Sequence, residues 1–227
     1  MNQRFLCASC CSFVFEGNIS YMNNHSIKSS AIILSGGKSQ RMGKAKSELI
    51  IGKKTMLQHV VDIFHLAVDH IVVVCAPDQP LPLTDSDVIW ANDVVGGQGP
   101  LRGVQAGLLA LPPHVERVFL SSCDVPLLKP ELVAHLFSYP NQTKAVVPLI
   151  GGIPQPLTAV YAADILTTVT QLLATGERSL QALLRNIDAH FVSEEVIKQV
   201  DPSLASFENA NTPDDYLRIL KIFGDMT

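Results

Sequence analysis

Residues 31–43 read AIILSGGKSQRMG, and this stretch decides the fold of the chain. Four apolar residues form a short strand, and the paired glycines Gly36 and Gly37 follow it almost at once. Ligands of open α/β sheets bind beyond the carboxyl ends of the strands, where glycines let backbone N–H groups approach a phosphate closely. Basic side chains suited to a triphosphate come next: Lys38, Arg41, Lys44 and Lys46. The stretch therefore predicts a phosphate-binding turn at the edge of an α/β sheet.

Three better-known glycine motifs do not fit this turn. A P-loop needs Gly-x-x-x-x-Gly-Lys-Ser/Thr, and although Gly37-Lys38-Ser39 supplies its end, Ile32 stands at its first position. The dinucleotide fingerprint Gly-x-Gly-x-x-Gly is excluded because the glycines fall at positions 36, 37 and 43. The run Leu34-Ser35-Gly36-Gly37 also looks like the signature of ABC-transporter ATPases, but that signature acts only downstream of a P-loop in the same chain. A plain strand-to-helix turn remains the alternative that involves no ligand.

The rest of the chain repeats one pattern from residue 31 onward. Short apolar runs alternate with longer amphipathic stretches, which is typical of βαβ units and a mostly parallel sheet. The predicted strands cover residues 31–34, 71–74, 88–91, 117–121, 145–148 and 157–161. Apolar residues at helical spacing predict helices within 56–64, 101–111, 132–137, 163–174 and 179–185. A last helix should begin at Pro213, with Thr212 as its N-cap.

Composition favours one globular domain that acts on a small molecule. The chain has 227 residues, of which 47% are hydrophobic and only 17% charged, so much of it must be packed inside. A formal charge of −4 without any run of Lys and Arg argues against nucleic acid as a partner. Apolar stretches fall short of the roughly 18 residues that cross a bilayer, so we expect no membrane partner. The odd number of cysteines, five, indicates a reducing compartment, which we expect to be the cytoplasm.

The first thirty residues do not follow the repeating pattern. We expect residues 1–30 to be a disordered extension or a misassigned start, because Met22 precedes a polar stretch that leads into the first strand. An apolar run after Arg4 faintly resembles a secretory signal. A zinc site is a further alternative, with Cys7, Cys10, Cys11 and His25 as ligands. The folded domain is expected to cover residues 31–227.

Further motifs follow the glycine turn in a fixed order. The run from Leu34 to Gly43, with Lys46 after it, resembles the opening motif of the molybdenum cofactor guanylyltransferases and their wider nucleotidyltransferase superfamily. The later matches are Asn92-Asp93, Gly99-Pro100-Leu101-Arg102-Gly103, Ser122-Cys123-Asp124-Val125-Pro126, Gln155-Pro156-Leu157-Thr158, Gly176-Glu177-Arg178 and Asn209-Ala210-Asn211-Thr212-Pro213. Together they extend the resemblance over nearly everything from residue 31 to about residue 220.

The resemblance implies both a fold and a reaction. The fold would be a Rossmann-like, three-layer α/β nucleotidyltransferase fold with a mostly parallel central sheet. The donor would be GTP and the acceptor molybdopterin or Mo-molybdopterin, with magnesium, Mg²⁺, as cofactor. The products would be molybdopterin guanine dinucleotide and pyrophosphate. Molybdoenzyme maturation proteins are further expected partners.

The resemblance also assigns roles to individual residues. The nucleotide would lie against Leu34, Ser35, Gly36 and Gly37, and Arg41 and Lys46 would contact its phosphates. Asp93 would face the guanine or ribose, and Asp124 would bind the magnesium ion. Asn209 and Asn211 would lie near the pterin or the metal. For Asp124 the chemistry agrees, because it follows the predicted strand 117–121 and magnesium is usually held by one or two carboxylates plus phosphates.

Related activities remain as alternatives at this point. The paired glycines Gly36 and Gly37 look more like the guanylyl branch, because cytidylyl relatives tend to have alanine in place of the first glycine. The alternatives are a molybdopterin cytidylyltransferase and a sugar-phosphate nucleotidyltransferase. A non-catalytic carrier of the cofactor is an alternative from another class, and Lys46, Asp93 and Asp124 argue against it.

Overall fold

A mostly parallel sheet organises the part of the chain that the computed structural model describes, which is residues 28–35, 46–76, 87–93 and 99–225. The strands are β1 Lys28–Leu34, β2 Ile50–Ile51, β3 Lys54–Thr55, β4 His70–Cys75, β5 Ile89–Asn92, β6 Val115–Ser122, β7 Ala145–Ile150, β8 Ile153–Pro154, β9 Thr158–Ala162 and β10 Ala189–Val192. The α-helices are α1 Met56–His65, α2 Pro100–Leu109, α3 Pro130–Phe137, α4 Leu166–Ala174, α5 Leu180–Arg185, α6 Glu194–Ile197 and α7 Pro213–Asp225. Short 3₁₀ turns cover Lys46–Glu48, Ala163–Ile165 and Ala205–Phe207.

The strand order of the main sheet is β10-β7-β9-β6-β1-β4-β5, with β8 paired to β7. Strands β6, β1, β4 and β5 are neighbours and all parallel. Strand β9 runs antiparallel between β6 and β7. The expected mostly parallel sheet is thus confirmed, and its four parallel neighbours end at one common edge.

Helices cover both faces of this sheet. One face packs against α1 and α3, with buried residues such as Leu57, Phe64 and Leu132. The other face packs against α2, α4 and α5. Helix α2 lies especially close to β1, because a Cβ added at Gly107 would be 2.5 Å from Cγ2 of Ile32. The three-layer arrangement expected from the sequence is therefore confirmed.

A third, smaller hydrophobic cluster lies beside the sheet, and we call it the third core. Its buried residues are Leu49, Ile51, Met56, Leu127, Ala210 and Ile219. It joins the β2–β3 hairpin, the start of α1, the loop after β6 and helix α7. Tyr216 on α7 also donates a hydrogen bond to the backbone carbonyl of Ile50. Segments that are far apart in the sequence are therefore held together here.

The six predicted strands are all present, with small differences at their ends. The first begins at Lys28, three residues before the predicted start at Ala31. Three further features were not predicted: the β2–β3 hairpin, β8 and β10. Two-residue strands are too short to show a period, and the edge strand β10 mixes polar and apolar residues. Predictions made for residues 1–27, including the zinc ligands, lie outside the described residues.

The predicted starts of α5 and α7 agree with the structure. Ser179 caps α5 by accepting a hydrogen bond from the backbone N–H of Ala182 at 3.1 Å. Thr212 accepts from the N–H of Asp215 at 3.2 Å, and the Asp215 carboxylate accepts from the N–H of Thr212 at 3.0 Å. This reciprocal pair fixes where α7 begins. The helix predicted over 163–174 divides into the 3₁₀ turn Ala163–Ile165 and α4.

Among the described residues, no helix is both long enough and apolar enough to span a membrane.

Candidate active site

The carboxyl ends of four parallel strands form the floor of the candidate site. The last residues of β6, β1, β4 and β5 are Ser122, Leu34, Cys75 and Asn92. Backbone hydrogen bonds continue just beyond these ends: Cys123 N to Leu34 O at 3.1 Å, Ser35 N to Val74 O at 2.8 Å and Asp93 N to Cys75 O at 2.9 Å. Leu34, Ser35, Asp93 and Asp124 are thus placed along one edge of the sheet, as the sequence predicted for residues that follow strands.

Lys46 is the centre of the site's polar contacts. Its Nζ lies 2.6 Å from Oδ2 of Asp124 and 2.7 Å from Oδ1 of Asn211. The exposed fractions of the Lys46 and Asp124 side chains are 21% and 12%, so solvent screens this ion pair only in part. A carboxylate oxygen and an amide oxygen therefore converge on one cationic group.

The third core explains why Lys46 reaches this position. Lys46 begins the 3₁₀ turn that leads into Leu49 and Ile51, which are both buried in the third core. The N–H of Met56 donates to the carbonyl of Leu49 at 2.7 Å, which closes the hairpin against α1. Leu127, three residues after Asp124, packs into the same cluster. The lysine and the aspartate thus approach each other because their neighbours share a core.

Asp124 is held from three directions. Its Oδ2 accepts from Lys46, and its Oδ1 accepts a hydrogen bond from the Ser122 hydroxyl. Its backbone carbonyl accepts from the N–H of Ala210 at 2.9 Å. The residue is only 9% exposed, so the carboxylate has little freedom to reorient.

The late asparagine motif is attached to Asp124 through that Ala210 bond. Within the motif, the N–H of Asn211 donates to the carbonyl of Asn209 at 3.0 Å. The Asn209 amide donates to the carbonyl of Phe207 at 3.4 Å, so this side chain stabilises its own segment. The Asn211 side chain is the one that contacts Lys46. The structure therefore separates two asparagines that the sequence treated alike.

A partly buried ion pair supports the segment before the motif. Asp201 is fully buried, and its Oδ1 lies 2.8 Å from Nζ of Lys129. Its Oδ2 accepts from the N–H of Ser206 at 2.9 Å. Burial by itself would raise the pKa of Asp201, but the hydrogen bonds from Lys129 and Ser206 hold that pKa below its ordinary value. The charged form of Asp201 thus fixes the chain at the foot of α3.

Two cysteines lie under the edge of the sheet as inert, buried groups. Burial and the nearby Asp124 charge raise the pKa of Cys123 to about 12, although Lys46 and Ser35 act in the opposite direction. Burial also raises the pKa of Cys75, and the Ser35 hydroxyl beside it lowers it to a smaller extent. A thiol is nucleophilic only as the thiolate. Both cysteines are therefore buried packing residues.

The other residues predicted for the site lie either away from Lys46 or outside the described residues. Asp93 is half-buried at the end of β5, on the far side of β1 and β4 from Asp124. Gly36, Gly37 and Arg41 lie outside the described residues, so their predicted roles stay predictions. The structure thus brings Lys46, Asp124 and Asn211 into one network and leaves Asp93 at the other end of the same edge.

The start of α2 contacts another of the sequence motifs. Gly99 has a φ of 84°, and a Cβ there would lie 2.8 Å from the backbone oxygen of Arg178. That same oxygen accepts from the N–H of Leu101 at 3.3 Å. Only glycine fits both the backbone angle and the close approach. The Gly176-Glu177-Arg178 loop is therefore anchored beside the amino end of α2, close to the end of β5.

The donor set of the site suits a hard divalent cation. The described residues contain no group of three or more His, Cys, Asp and Glu side chains that could hold a metal by themselves. Oδ2 of Asp124 and Oδ1 of Asn211 nevertheless approach one point, where they meet the Lys46 ammonium. Magnesium typically uses one or two protein oxygens and completes its shell with water and substrate phosphates. The residues present fit that pattern.

Comparison with known proteins identifies the family. A profile described as the MobA-like NTP transferase domain matches residues 31–193. The chain belongs to this family. A probable molybdenum cofactor guanylyltransferase from Mycobacterium avium is 35% identical over 194 residues, which are 84% of this chain and 94% of that protein. The molybdenum cofactor guanylyltransferase of Desulfosudis oleivorans is 31% identical over 186 residues, which are 81% of this chain and 90% of that protein.

A solved structure shares the fold. The crystal structure of molybdopterin-guanine dinucleotide biosynthesis protein A from Archaeoglobus fulgidus matches with a TM-score of 0.72. The match covers 87% of this chain and 100% of that chain at 24% sequence identity. This likeness concerns the fold of the MobA-like domain alone.

Sequence reasoning is thus confirmed for the family and the fold, while the roles of single residues stay predictions. It assigned no role to Ser122, whose hydroxyl contacts Asp124. A partial signal was present, because Ser122 lies only two residues before Asp124 in the sequence. Asp124 itself lies in the turn that follows β6, and the geometry of that turn brings the Ser122 hydroxyl to the carboxylate.

Proposed function

We propose that this protein transfers GMP from GTP to the phosphate of molybdopterin or Mo-molybdopterin, giving molybdopterin guanine dinucleotide and pyrophosphate. Two relatives that carry the name molybdenum cofactor guanylyltransferase support this proposal, at 35% and 31% identity over most of their length. We assign the activity to residues 31–227 and to the cytoplasm, with molybdoenzyme maturation proteins as partners.

One observation in the structure carries the proposal. Lys46 bridges Asp124 and Asn211 at the carboxyl edge of a parallel sheet, directly beside the end of β1. In open α/β folds this edge is where nucleotides bind. A lysine, a carboxylate and an amide at this position combine the three kinds of group that a triphosphate with a divalent cation requires.

The reaction depends mainly on how the protein positions the two substrates. An oxygen of the acceptor phosphate forms a bond to the α-phosphorus of GTP, the bond from that phosphorus to the β-phosphate oxygen breaks, and pyrophosphate leaves. A phosphate monoester is already ionised near neutral pH, since its second pKa is about 6, so the protein need not supply a base. Catalysis then depends on alignment and on stabilising the charge that develops on the departing pyrophosphate.

We assign the residues as follows. The backbone from Leu34 to Gly37 lies against the triphosphate, and Lys46 with Arg41 stabilises its negative charge. Asp93, at the far end of the edge, faces the ribose or the guanine. Asn211 orients Lys46, and Asn209 stiffens the segment that carries Asn211 on the acceptor side. This arrangement places the nucleotide along the edge from β5 to β6.

The proposal includes magnesium. Asp124 would hold the ion together with phosphate oxygens of GTP, while the Asn211 amide contacts Lys46. When bound, Mg²⁺ supplies positive charge that stabilises the leaving pyrophosphate. Asp124 is suited to this because its side chain is ordered by two hydrogen bonds and points to the edge where the phosphates lie.

A direct assay tests the proposal. Purified protein is mixed with Mg²⁺, molybdopterin and one labelled nucleoside triphosphate at a time, and both pyrophosphate and the dinucleotide product are measured. We expect turnover with GTP, none after chelation of the metal, and recovery when Mg²⁺ is added back. A matched Asp124→Asn variant should give no turnover while it keeps its folded circular dichroism spectrum.

The other outcomes point to other functions. Turnover with CTP but not GTP would replace the guanylyl assignment by a cytidylyl one. Turnover with a sugar phosphate, and none with molybdopterin, would change the acceptor. Binding of nucleotide and molybdopterin without any turnover would indicate a carrier of the cofactor.

A further inference from the structure

The Ser122 hydroxyl lies against the carboxylate on which the proposed metal site depends. It donates a hydrogen bond to Oδ1 of Asp124, while Oδ2 accepts from Lys46 at 2.6 Å. Ser122 is the last residue of β6, and its backbone is in register with Leu34 of β1. The hydroxyl is therefore fixed to the sheet, whereas the carboxylate belongs to the loop that follows. Ser122 connects the rigid part of the site to its metal-binding group.

We propose that Ser122 is a positioning residue that holds the Asp124 carboxylate in the orientation that binds a divalent cation. This inference rests on the proposed function. An aspartate carboxylate turns readily about its Cβ–Cγ bond, because that torsion is broad. A hydrogen bond from Ser122 to Oδ1 restrains this rotation from one side, and the contact of Oδ2 with Lys46 restrains it from the other.

The Asp124 carboxylate can accept the bonds from Ser122 and Lys46 and still bind a cation. Each of its oxygens has two lone pairs, so the bonds from Ser122 and Lys46 leave one on each oxygen for a cation. The hydroxyl also draws some negative charge from the carboxylate, which would weaken a metal ligand. Orientation is the larger effect, because loss of a partner that orients a metal ligand typically lowers metal affinity about 10–100-fold.

The neighbouring serine provides a matched control. Ser121 is fully buried, and its hydroxyl donates to the backbone carbonyl of Ser122 at 3.2 Å. Because successive residues of a strand point to opposite faces, the Ser121 side chain lies on the other face from Ser122. Loss of the Ser121 hydroxyl removes the same group from the same strand without touching Asp124.

The test compares Mn²⁺ affinity in Ser122→Ala, Ser121→Ala, Ser122→Thr and Asp124→Ala variants of the full chain. Free Mn²⁺ is measured by its electron paramagnetic resonance signal with GTP present and no acceptor, so no turnover occurs. We expect Ser122→Ala to bind Mn²⁺ about tenfold more weakly, with Ser121→Ala unchanged and Ser122→Thr restored to near wild type. In the activity assay, the Mg²⁺ concentration for half-maximal rate should rise more than kcat falls.

Three results would overturn the inference in distinguishable ways. If Asp124→Ala abolishes Mn²⁺ binding but Ser122→Ala binds like wild type, the positioning role is wrong and the metal assignment stands. If Asp124→Ala itself retains wild-type affinity, both the positioning role and the proposed metal site are wrong. Equal weakening in Ser121→Ala and Ser122→Ala would also overturn it, because the effect would then reflect the strand and not the contact with Asp124.

Discussion

The edge of the main sheet and the third core contribute to the same site by different means. At the edge, Ser35, Asp93 and Asp124 are placed by the ends of parallel strands, so their position follows from the order of strands. Lys46 begins a short 3₁₀ turn and Asn211 lies in an irregular segment, and they reach Asp124 because residues near them pack into the third core. The strand ends thus position the residues of the floor, and the third core positions Lys46 and Asn211, which we call the side of the site.

This difference predicts which part of the site is disturbed more easily by a substitution in the core beneath it. The floor is supported by two large cores on the two faces of the sheet, whereas the side depends on six buried residues. A single substitution in the third core should therefore disturb Lys46 and Asn211 more than one of equal size in a large core disturbs Asp124. The predictions below test this contrast, beginning with the largest expected effect.

Replacement of Asp124 by Asn should remove the negative charge at the floor of the site while preserving the fold around it. We expect kcat to fall by at least about 10³-fold, because the charged group that we propose as the metal ligand is replaced by a neutral one. The melting temperature should change by only a few degrees. A steady-state assay with GTP and Mg²⁺ checks the first expectation, and more than about a tenth of wild-type activity would contradict it.

Replacement of Lys46 by Gln should remove the cation that joins floor and side. We expect kcat/KM to fall about 10²-fold, a typical cost for losing one group that stabilises transition-state charge. Asn211→Ala should cost about tenfold, because Asn211 acts through Lys46. The double variant should then be no worse than Lys46→Gln alone. Strictly additive losses would show that Asn211 acts independently.

Truncation of Ile219 tests the third core itself. Ile219→Ala and its control Ile165→Ala, which lies in a large core, each remove a buried isoleucine and should each lower the free energy of unfolding by about 3 kcal/mol. Only Ile219→Ala should reduce kcat/KM, by about tenfold, because Lys46 and Asn211 lose their fixed positions. Urea unfolding and steady-state kinetics measure the two effects. An equal fall in kcat/KM in both variants would show that the third core does not affect the site more than the large core does.

Asp201 provides the pH-dependent prediction. Its pKa is lowered in the folded protein, while an unfolded Asp has a pKa of about 3.9. Its contribution to stability is therefore complete above the unfolded pKa and is lost as pH falls through the lower, folded pKa. At pH 7, Asp201→Asn should be about 2 kcal/mol less stable than wild type, with activity nearly unchanged. This difference in the free energy of unfolding between Asp201→Asn and wild type should stay constant down to about pH 5 and shrink below about pH 4.

A surface ion pair serves as the control for this experiment. Asp62 pairs with Lys54, but the two side chains are 40% and 54% exposed. Asp62→Asn should therefore change the free energy of unfolding by less than about 1 kcal/mol at any pH. Urea titrations from pH 7 to pH 3 compare the two variants. A gap for Asp201→Asn that persisted unchanged to pH 3 would mean that the Asp201 charge is not its source.

The parts that the sequence predicted well are those governed by local pattern. Val and Ile runs located all six major strands, and Thr212 with Pro213 located the start of α7. The position of Asp124 followed, because a residue just after a parallel strand must lie at its carboxyl edge. Strand β10 was not predicted, because at the border of the sheet its sequence is only partly apolar.

The contacts of Lys46 could not be predicted in the same way. Lys46 is 78 residues from Asp124 and 165 residues from Asn211 along the chain. No local period relates such positions, and family resemblance indicated that each residue matters without stating which ones touch. It also treated Asn209 and Asn211 as a pair, although only Asn211 reaches Lys46 with its side chain.

By itself, the sequence determined the family and the order of the six major strands and of the main helices. These depend on short-range properties: the apolar burial pattern and helix capping. The tertiary structure decided that one ammonium group joins a strand-end carboxylate to a late asparagine, and that the Ser122 hydroxyl contacts that carboxylate. The physical reason is that the third core buries side chains from three distant segments at once, and only the folded chain places those segments side by side.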